Sequence, residues 1–201
     1  MNLKNASFFV AVVALAMTGG VGAATMGGRH GADAGVATAA TKSGLPVGER
    51  MLAFETKHVT GPDNGTDTCP ICKYGTLPGV MVFVHGEDNE RVLDIATKLD
   101  KTVADSKKDL HAFVVVLTDD KEDEDMVRSV YGDKFKHVAV TYLPATDSVI
   151  KAYKVDLSPK TRTTALVYRK MKVTESFVNL GDKKGSVEAL LAAAKRVDAA
   201  G

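Results

Sequence analysis

The sequence predicts an α/β domain with helices packed on both faces of a mixed central sheet. Two continuous apolar runs, Val80 to Val84 and Ala112 to Leu117, have the character of strands covered on both faces. Between them lies a segment with helical apolar spacing, and further on two β-rich segments meet at a four-residue polar turn. A strand, helix, strand unit implies a parallel pair, whereas a tight turn implies an antiparallel one.

The chain of 201 residues begins with Met1-Asn2-Leu3-Lys4, an apolar run from Phe8 to Met17 and the small residues Val21-Gly22-Ala23-Ala24. A basic start, a short apolar run and a small-x-small end describe a secretory signal peptide over residues 1–24, because a membrane span needs about 20 apolar residues. No cysteine lies at that point to carry a lipid. Residues 25–47 are mostly Gly, Ala and Thr and are expected to form a flexible tether, too poor in large apolar groups to offset their ordering entropy. Residues 48–201 then form one domain, long enough for a single core. The formal charge of +1 becomes zero once Lys4 is removed with the signal. The balance shows no nucleic-acid footprint and no membrane surface in the mature protein. A secreted or periplasmic location follows from the signal.

Within the domain, Met51 to Val59 reads as an added N-terminal edge strand. A loop of about nineteen residues follows, a length that is usually functional or flexible. It holds Gly61-Pro62-Asp63-Asn64-Gly65 and then Cys69-Pro70-Ile71-Cys72, the only two cysteines in the chain. After the central strand Val80 to Val84, Asp88 or Asn89 caps a helix that aligns Val92, Ile95, Ala96, Leu99 and Val103. Ala112 to Leu117 is the parallel partner strand. The acidic stretch Asp119 to Asp125 starts a helix, where the dipole favours carboxylates, and it lacks calcium-loop spacing. Val138 to Tyr142 is a short strand and Asp147 to Tyr153 a short helix. Thr163 to Tyr168 and Val173 to Leu180 form a hairpin across Arg169-Lys170-Met171-Lys172, and Ser186 caps a closing helix.

This order, with export and CxxC, resembles the thioredoxin-like or redoxin superfamily, in the form with an added N-terminal strand. The segment Lys151-Ala152-Tyr153-Lys154-Val155 is similar to the family's stretch before its hairpin. The resemblance implies a three-layer fold and thiol-disulfide chemistry on protein thiols or disulfides, with no cofactor. It also exposes two departures. In the family the CxxC follows the central strand and opens the first long helix, positions that fall here near Asp88 and Arg91. The family's cis-proline position before the hairpin strand holds Arg162-Thr163-Thr164, and Pro159 lies too early to replace it. The cysteines are therefore displaced to the start of the central strand.

Three uses of Cys69 and Cys72 remain open from the sequence. The first is catalysis or redox sensing. With Cys69 as N-cap and Pro70 at the first helical position, the Cys72 N–H faces the Cys69 sulfur and lowers its pKa, and Lys73 adds positive charge. Cys69 then attacks and Cys72 resolves. The second is a structural disulfide on a non-catalytic binding module, although a ring this small stabilises little by chain entropy. The third is half of a zinc site, with His58 as a candidate ligand or with two chains sharing the site. Tyr74 and Gly75 are expected to shape the turn. His85, Asp88 and Arg91 would line the family's crevice at the far end of the strand. His111 and His137 open strands, and no hydrolase or phosphate-loop motif is present.

Overall fold

The computed structural model describes residues 43–200; the predicted signal and residues 25–42 of the predicted tether lie outside them. Six strands form one sheet: β1 (Lys57–His58), β2 (Gly79–Val84), β3 (His111–Thr118), β4 (Val138–Pro144), β5 (Thr163–Arg169) and β6 (Lys172–Val178). Their spatial order is β1-β4-β3-β2-β5-β6, with β2, β3 and β4 mutually parallel and β1, β5 and β6 joined antiparallel. The mixed sheet is the one expected.

The pleat of β2 divides the core. Val80, Val82 and Val84 point to one face, against α2 (Asn89–Ala104), α3 (Lys121–Tyr131) and α5 (Ser186–Ala199). Met81 and Phe83 point to the other, against Ile71 of α1 (Pro70–Tyr74), Ile150 and nearby Tyr153 of α4 (Ser148–Ala152), and the segment carrying Leu45, Met51 and Phe54. Every residue of β2 is buried, as its apolar run requires when both faces are covered.

Three helices, α2, α3 and α4, begin where the short side chain of an aspartate offers a cap. Asp88 accepts from the Glu90 N–H at the start of α2, and Asp147 from Val149 N–H at the start of α4. At α3 the acidic stretch makes a reciprocal capping box: Asp120 accepts from Asp123 N–H while Asp123 reaches back to the cap backbone. Lys170 and Met171 turn the hairpin with φ of 49° and 63°, the left-handed pair that matches strand twist.

Three expectations are corrected. Only Lys57–His58 of the predicted strand 51–59 is strand. Met51 and Phe54 instead cross the sheet face, because the Tyr153 hydroxyl takes both backbone groups of Leu52, donating to its carbonyl at 2.6 Å and accepting from its N–H at 3.0 Å. The residues Ser43 to Val47, read as the end of the tether, are part of the packed structure at Ser43 and Leu45, which are 2% and 3% exposed. Ser43 shares a hydrogen bond with Thr164 at 2.6 Å, and Gly44 N–H donates to the Lys154 carbonyl. Ser186 is the first residue of α5 rather than its cap, which is Gly185; its hydroxyl accepts from Gly181 N–H.

Gly79 is a position where only hydrogen fits. A Cβ there would sit 2.1 Å from the Tyr168 ring, which covers the first residue of β2 from the neighbouring strand. Gly79→Ala is expected to destabilise the domain by about 1–3 kcal/mol through overpacking, measured by urea unfolding. A loss below about 0.5 kcal/mol would mean that the ring moves aside freely.

Candidate functional site

The loop from β1 runs along β4 to the end of the sheet where β2 and β3 begin. Val59 N–H donates to the Val140 carbonyl, and Gly61 N–H to that of Phe135. Thr60 is fully buried, its hydroxyl donating to the Val138 carbonyl and accepting from Val140 N–H. The chain then turns through Asp63 and Gly65 and enters α1, which ends five residues before β2.

Local sequence dictates α1. Cys69 is its N-cap, Pro70 occupies the first turn, and Cys72 N–H donates to the Cys69 sulfur at 3.0 Å. Cys69 and Cys72 are joined in a disulfide with Cα atoms 5.3 Å apart, inside the ordinary range. Cys69 is half-buried and Cys72 exposed, while Pro70 and Ile71 between them face inward.

A carboxylate holds this helix from below. Asp63, 8% exposed, accepts from Lys73 Nζ on one oxygen at 2.5 Å and from the Tyr74 hydroxyl on the other at 2.9 Å. Burial alone would push the Asp63 carboxyl up, but these two donors outweigh it and hold it below its usual value. The same hydrogen bond raises the pKa of Lys73. Its charge is thus engaged by Asp63, not free to support a sulfur as the sequence suggested. Tyr74 stacks on His111, the first residue of β3, at 4.0 Å between ring centres, and Gly75 accepts from Met171 N–H at 2.7 Å.

Two histidines flank the helix. The His58 ring, 2% exposed, bonds through Nε2 to the Thr68 carbonyl at 3.0 Å, and its Nδ1 is buried without a partner. Burial lowers the pKa of His58, and also that of His111 beneath Tyr74. His58 is near the CxxC loop, as the zinc reading required. Both sulfurs are, however, in the disulfide, and among the described residues no three or more His, Cys, Asp or Glu side chains gather as a metal set.

Sequence reasoning found the cysteines, the cap and Pro70, but missed Asp63 and His111. Asp63 stood in a Gly-Pro-Asp-Asn-Gly turn and its partners are ten and eleven residues on, a spacing with no local signature. His111 reaches the site only because β3 pairs in parallel with β2.

The far end of β2 is built differently. His85 shares a contact of 3.3 Å with Asp119, and Asp88 caps α2. Arg91 and Arg162 both pair with Asp182, at 2.5 and 2.8 Å, and both approach the same oxygen of Glu87, at 3.7 and 3.5 Å. Ion pairs occupy the end where the family resemblance placed a disulfide and a cis-proline.

No family model and no curated protein matches this sequence. Solved structures do match in fold. A chain described as the thiol:disulfide interchange protein DsbE from Chlorobium tepidum is 15% identical, with a TM-score of 0.53 over 75% of this chain and 99% of that one. The pneumococcal exposed lipoprotein thioredoxin Etrx1 from Streptococcus pneumoniae gives 0.53 at 15% identity, over 72% and 99%. An uncharacterised conserved protein from Geobacillus kaustophilus gives 0.57 at 14%, over 80% and 86%. The chain has a thioredoxin-like α/β fold, as the element order implied, with a CxxC disulfide at Cys69 and Cys72.

Buried His58 and half-buried His111 set a pH dependence. The unfolded chain binds protons at His58 and His111 near pH 6.5, which the folded protein resists, so stability is lost as pH falls through that value. Asp63 adds a separate loss only below about pH 3.8, where the unfolded carboxylate protonates first. Denaturant midpoints should therefore fall between pH 7.5 and 5.5. His111→Phe, which keeps a ring against Tyr74, should remove part of that fall; a midpoint that rises on acidification would contradict the assignment.

Proposed function

We propose that the protein is an exported thiol-disulfide exchange protein, an oxidoreductase or redox sensor, that uses Cys69 and Cys72 at the start of β2. The observation that carries this reading is an accessible disulfide on a helix held by other means. Ile71 is buried, Gly75 is bonded to Met171, and Asp63 grips both Lys73 and Tyr74. The S–S bond can open without releasing α1.

In the reducing direction the Cys69 thiolate attacks one sulfur of a substrate disulfide, and the substrate's other sulfur leaves as a thiolate that takes a proton. Cys72, deprotonated, then attacks Cys69 and releases the second substrate thiol. Two electrons pass to the substrate and the Cys69–Cys72 bond re-forms. The Cys72 N–H at the helix start stabilises the Cys69 thiolate. In the oxidising direction the steps reverse. Protein thiols or disulfides are the natural partners of a pair whose Cys72 is exposed and whose Cys69 is half-buried. Export rests on the N-terminal segment, and the exposed lipoprotein thioredoxin that shares the fold is consistent with it.

The competing reading is a bridge that only braces a binding module. It draws little support from a ring with two residues between its cysteines, whose chain-entropy contribution is small. A redox titration of the mature protein separates the two. A potential between about −270 and −120 mV is expected for exchange, against one below about −300 mV for a structural bridge. Alongside it, the wild type should accelerate insulin reduction by dithiothreitol and Cys69→Ser should not; equal turnover by the variant removes Cys69 as the nucleophile.

A further inference from the structure

We propose that the row of cations across the β5–β6 turn, Arg169, Lys172 and Arg50 with Lys170 at the tip, docks an acidic segment of a protein partner. Arg169 is the cross-strand partner of Lys172, and Arg50 pairs with Lys172 antiparallel from the other side. Residues directly opposite in an antiparallel pair point to the same face, with Cβ atoms about 5 Å apart. Three like charges therefore stand side by side, an arrangement that costs stability. Arg50, Lys170 and Lys172 are exposed and Arg169 is half-buried.

Among the described residues no carboxylate of the chain relieves that repulsion. The acidic neighbours in sequence are engaged elsewhere, Glu49 by Lys154 and Glu175 by Arg196, each at 2.8 Å. Arg91, Arg162 and Arg196 bind carboxylates and Arg128 a phenol hydroxyl. Arg50 instead donates only to the Met171 sulfur, at 2.9 Å, and the Arg169 side chain has no partner. The two described arginines without an oxygen acceptor are thus the two that flank Lys172. A guanidinium presents a planar fork that matches a carboxylate, so an acidic ligand supplies what the chain withholds.

The backbone under the row is fixed. Met171 N–H donates to the Gly75 carbonyl, the Met171 carbonyl accepts from Met51 N–H, and Val173 bonds to both Glu49 and Gly48. A preformed surface spares a partner the cost of ordering it. The choice of a protein as partner rests on the exchange reading: Gly75, which holds the turn, lies three residues beyond Cys72. A standard protein footprint of about 800 Å² is wide enough to cover both. An anionic lipid surface also offers negative charge, but it calls for apolar side chains to insert. Val47, 57% exposed, is the one large apolar residue standing out from the surface among the described residues.

The test is fluorescence anisotropy of the oxidised whole chain with a short glutamate-rich peptide labelled with fluorescein, and with a lysine-rich peptide of the same length. The acidic peptide should bind and the basic one should not, and affinity should fall at least about tenfold between about 20 and about 300 mM salt. Lys172→Glu sets a carboxylate between the two guanidinium groups. It should weaken the acidic peptide at least about tenfold while raising the urea midpoint, because it replaces repulsion by attraction. Arg50→Gln should weaken binding at least about threefold without reversing any charge. Lys184→Glu makes the same change in net charge in the loop before α5, at the other end of the sheet, and should leave affinity unchanged. Binding needs no sulfur chemistry, so acidic-peptide binding by a protein inactive on insulin keeps the docking row and removes only the exchange reading. The proposal is overturned by equal binding of the two peptides, by no binding, by wild-type affinity or a lowered midpoint in Lys172→Glu, or by an equal loss in Lys184→Glu. Capture by phosphatidylglycerol vesicles in place of the peptide would overturn it in favour of a lipid surface.

Discussion

Burial of β2 on every side leaves it only its ends. Its two faces are covered by separate apolar clusters and its two edges are paired with β3 and β5. A polar group placed along such a strand would lose its hydration with no partner to replace it. Chemistry must therefore collect at the start of β2, where α1 arrives, or at its end, where α2 departs. The chain divides its polar residues between these two places and gives them opposite characters.

At the start, one carboxylate organises everything nearby. Asp63 accepts from Lys73 and Tyr74, Tyr74 lies on His111, and β3 carries His111 into register beside Gly79. The contacts tie the helix to the sheet independently of the sulfur atoms. At the other end the ion pairs among Glu87, Arg91, Arg162 and Asp182 join α2, the residue before β5 and the loop before α5. They are clustered, partly buried and geometrically close, which distinguishes them from isolated exposed pairs of little energetic value. The arginine before β5 stands where the family resemblance calls for a proline, and its charge joins the pairs with Glu87 and Asp182 at this end.

Much of the fold was legible because local rules and burial agreed. The runs at Val80 and Ala112 had no polar interruption, and Asp88 followed by Val92, Ile95, Ala96 and Leu99 fixed both the start and the face of α2. Cys69 and Pro70 likewise announced their own helix. What escaped detection depended on distant partners. Met51 to Phe54 has strand composition, yet a hydroxyl 101 residues away claims the Leu52 backbone. Ser43 and Leu45 sit in a stretch whose composition signals disorder, but Thr164 and the second core receive them. The grip of Asp63 on α1 crosses a loop with no periodicity, and the one-residue displacement at Ser186 is within the ordinary uncertainty of helix ends.

The pairing of the Lys73 ammonium with Asp63 also changes what the CxxC turn can be. A free ammonium beside Cys69 would favour the thiolate, hence the reduced form, and would make the disulfide a stronger oxidant. With Asp63 bound to that ammonium, the remaining support visible for a Cys69 thiolate is the Cys72 N–H and the start of a five-residue helix. Short helices contribute little dipole, since few peptide units align. In the proposed exchange reaction, then, the sulfur chemistry is tuned by a single backbone donor and by exposure, while the charged residues around it serve to hold the turn in place.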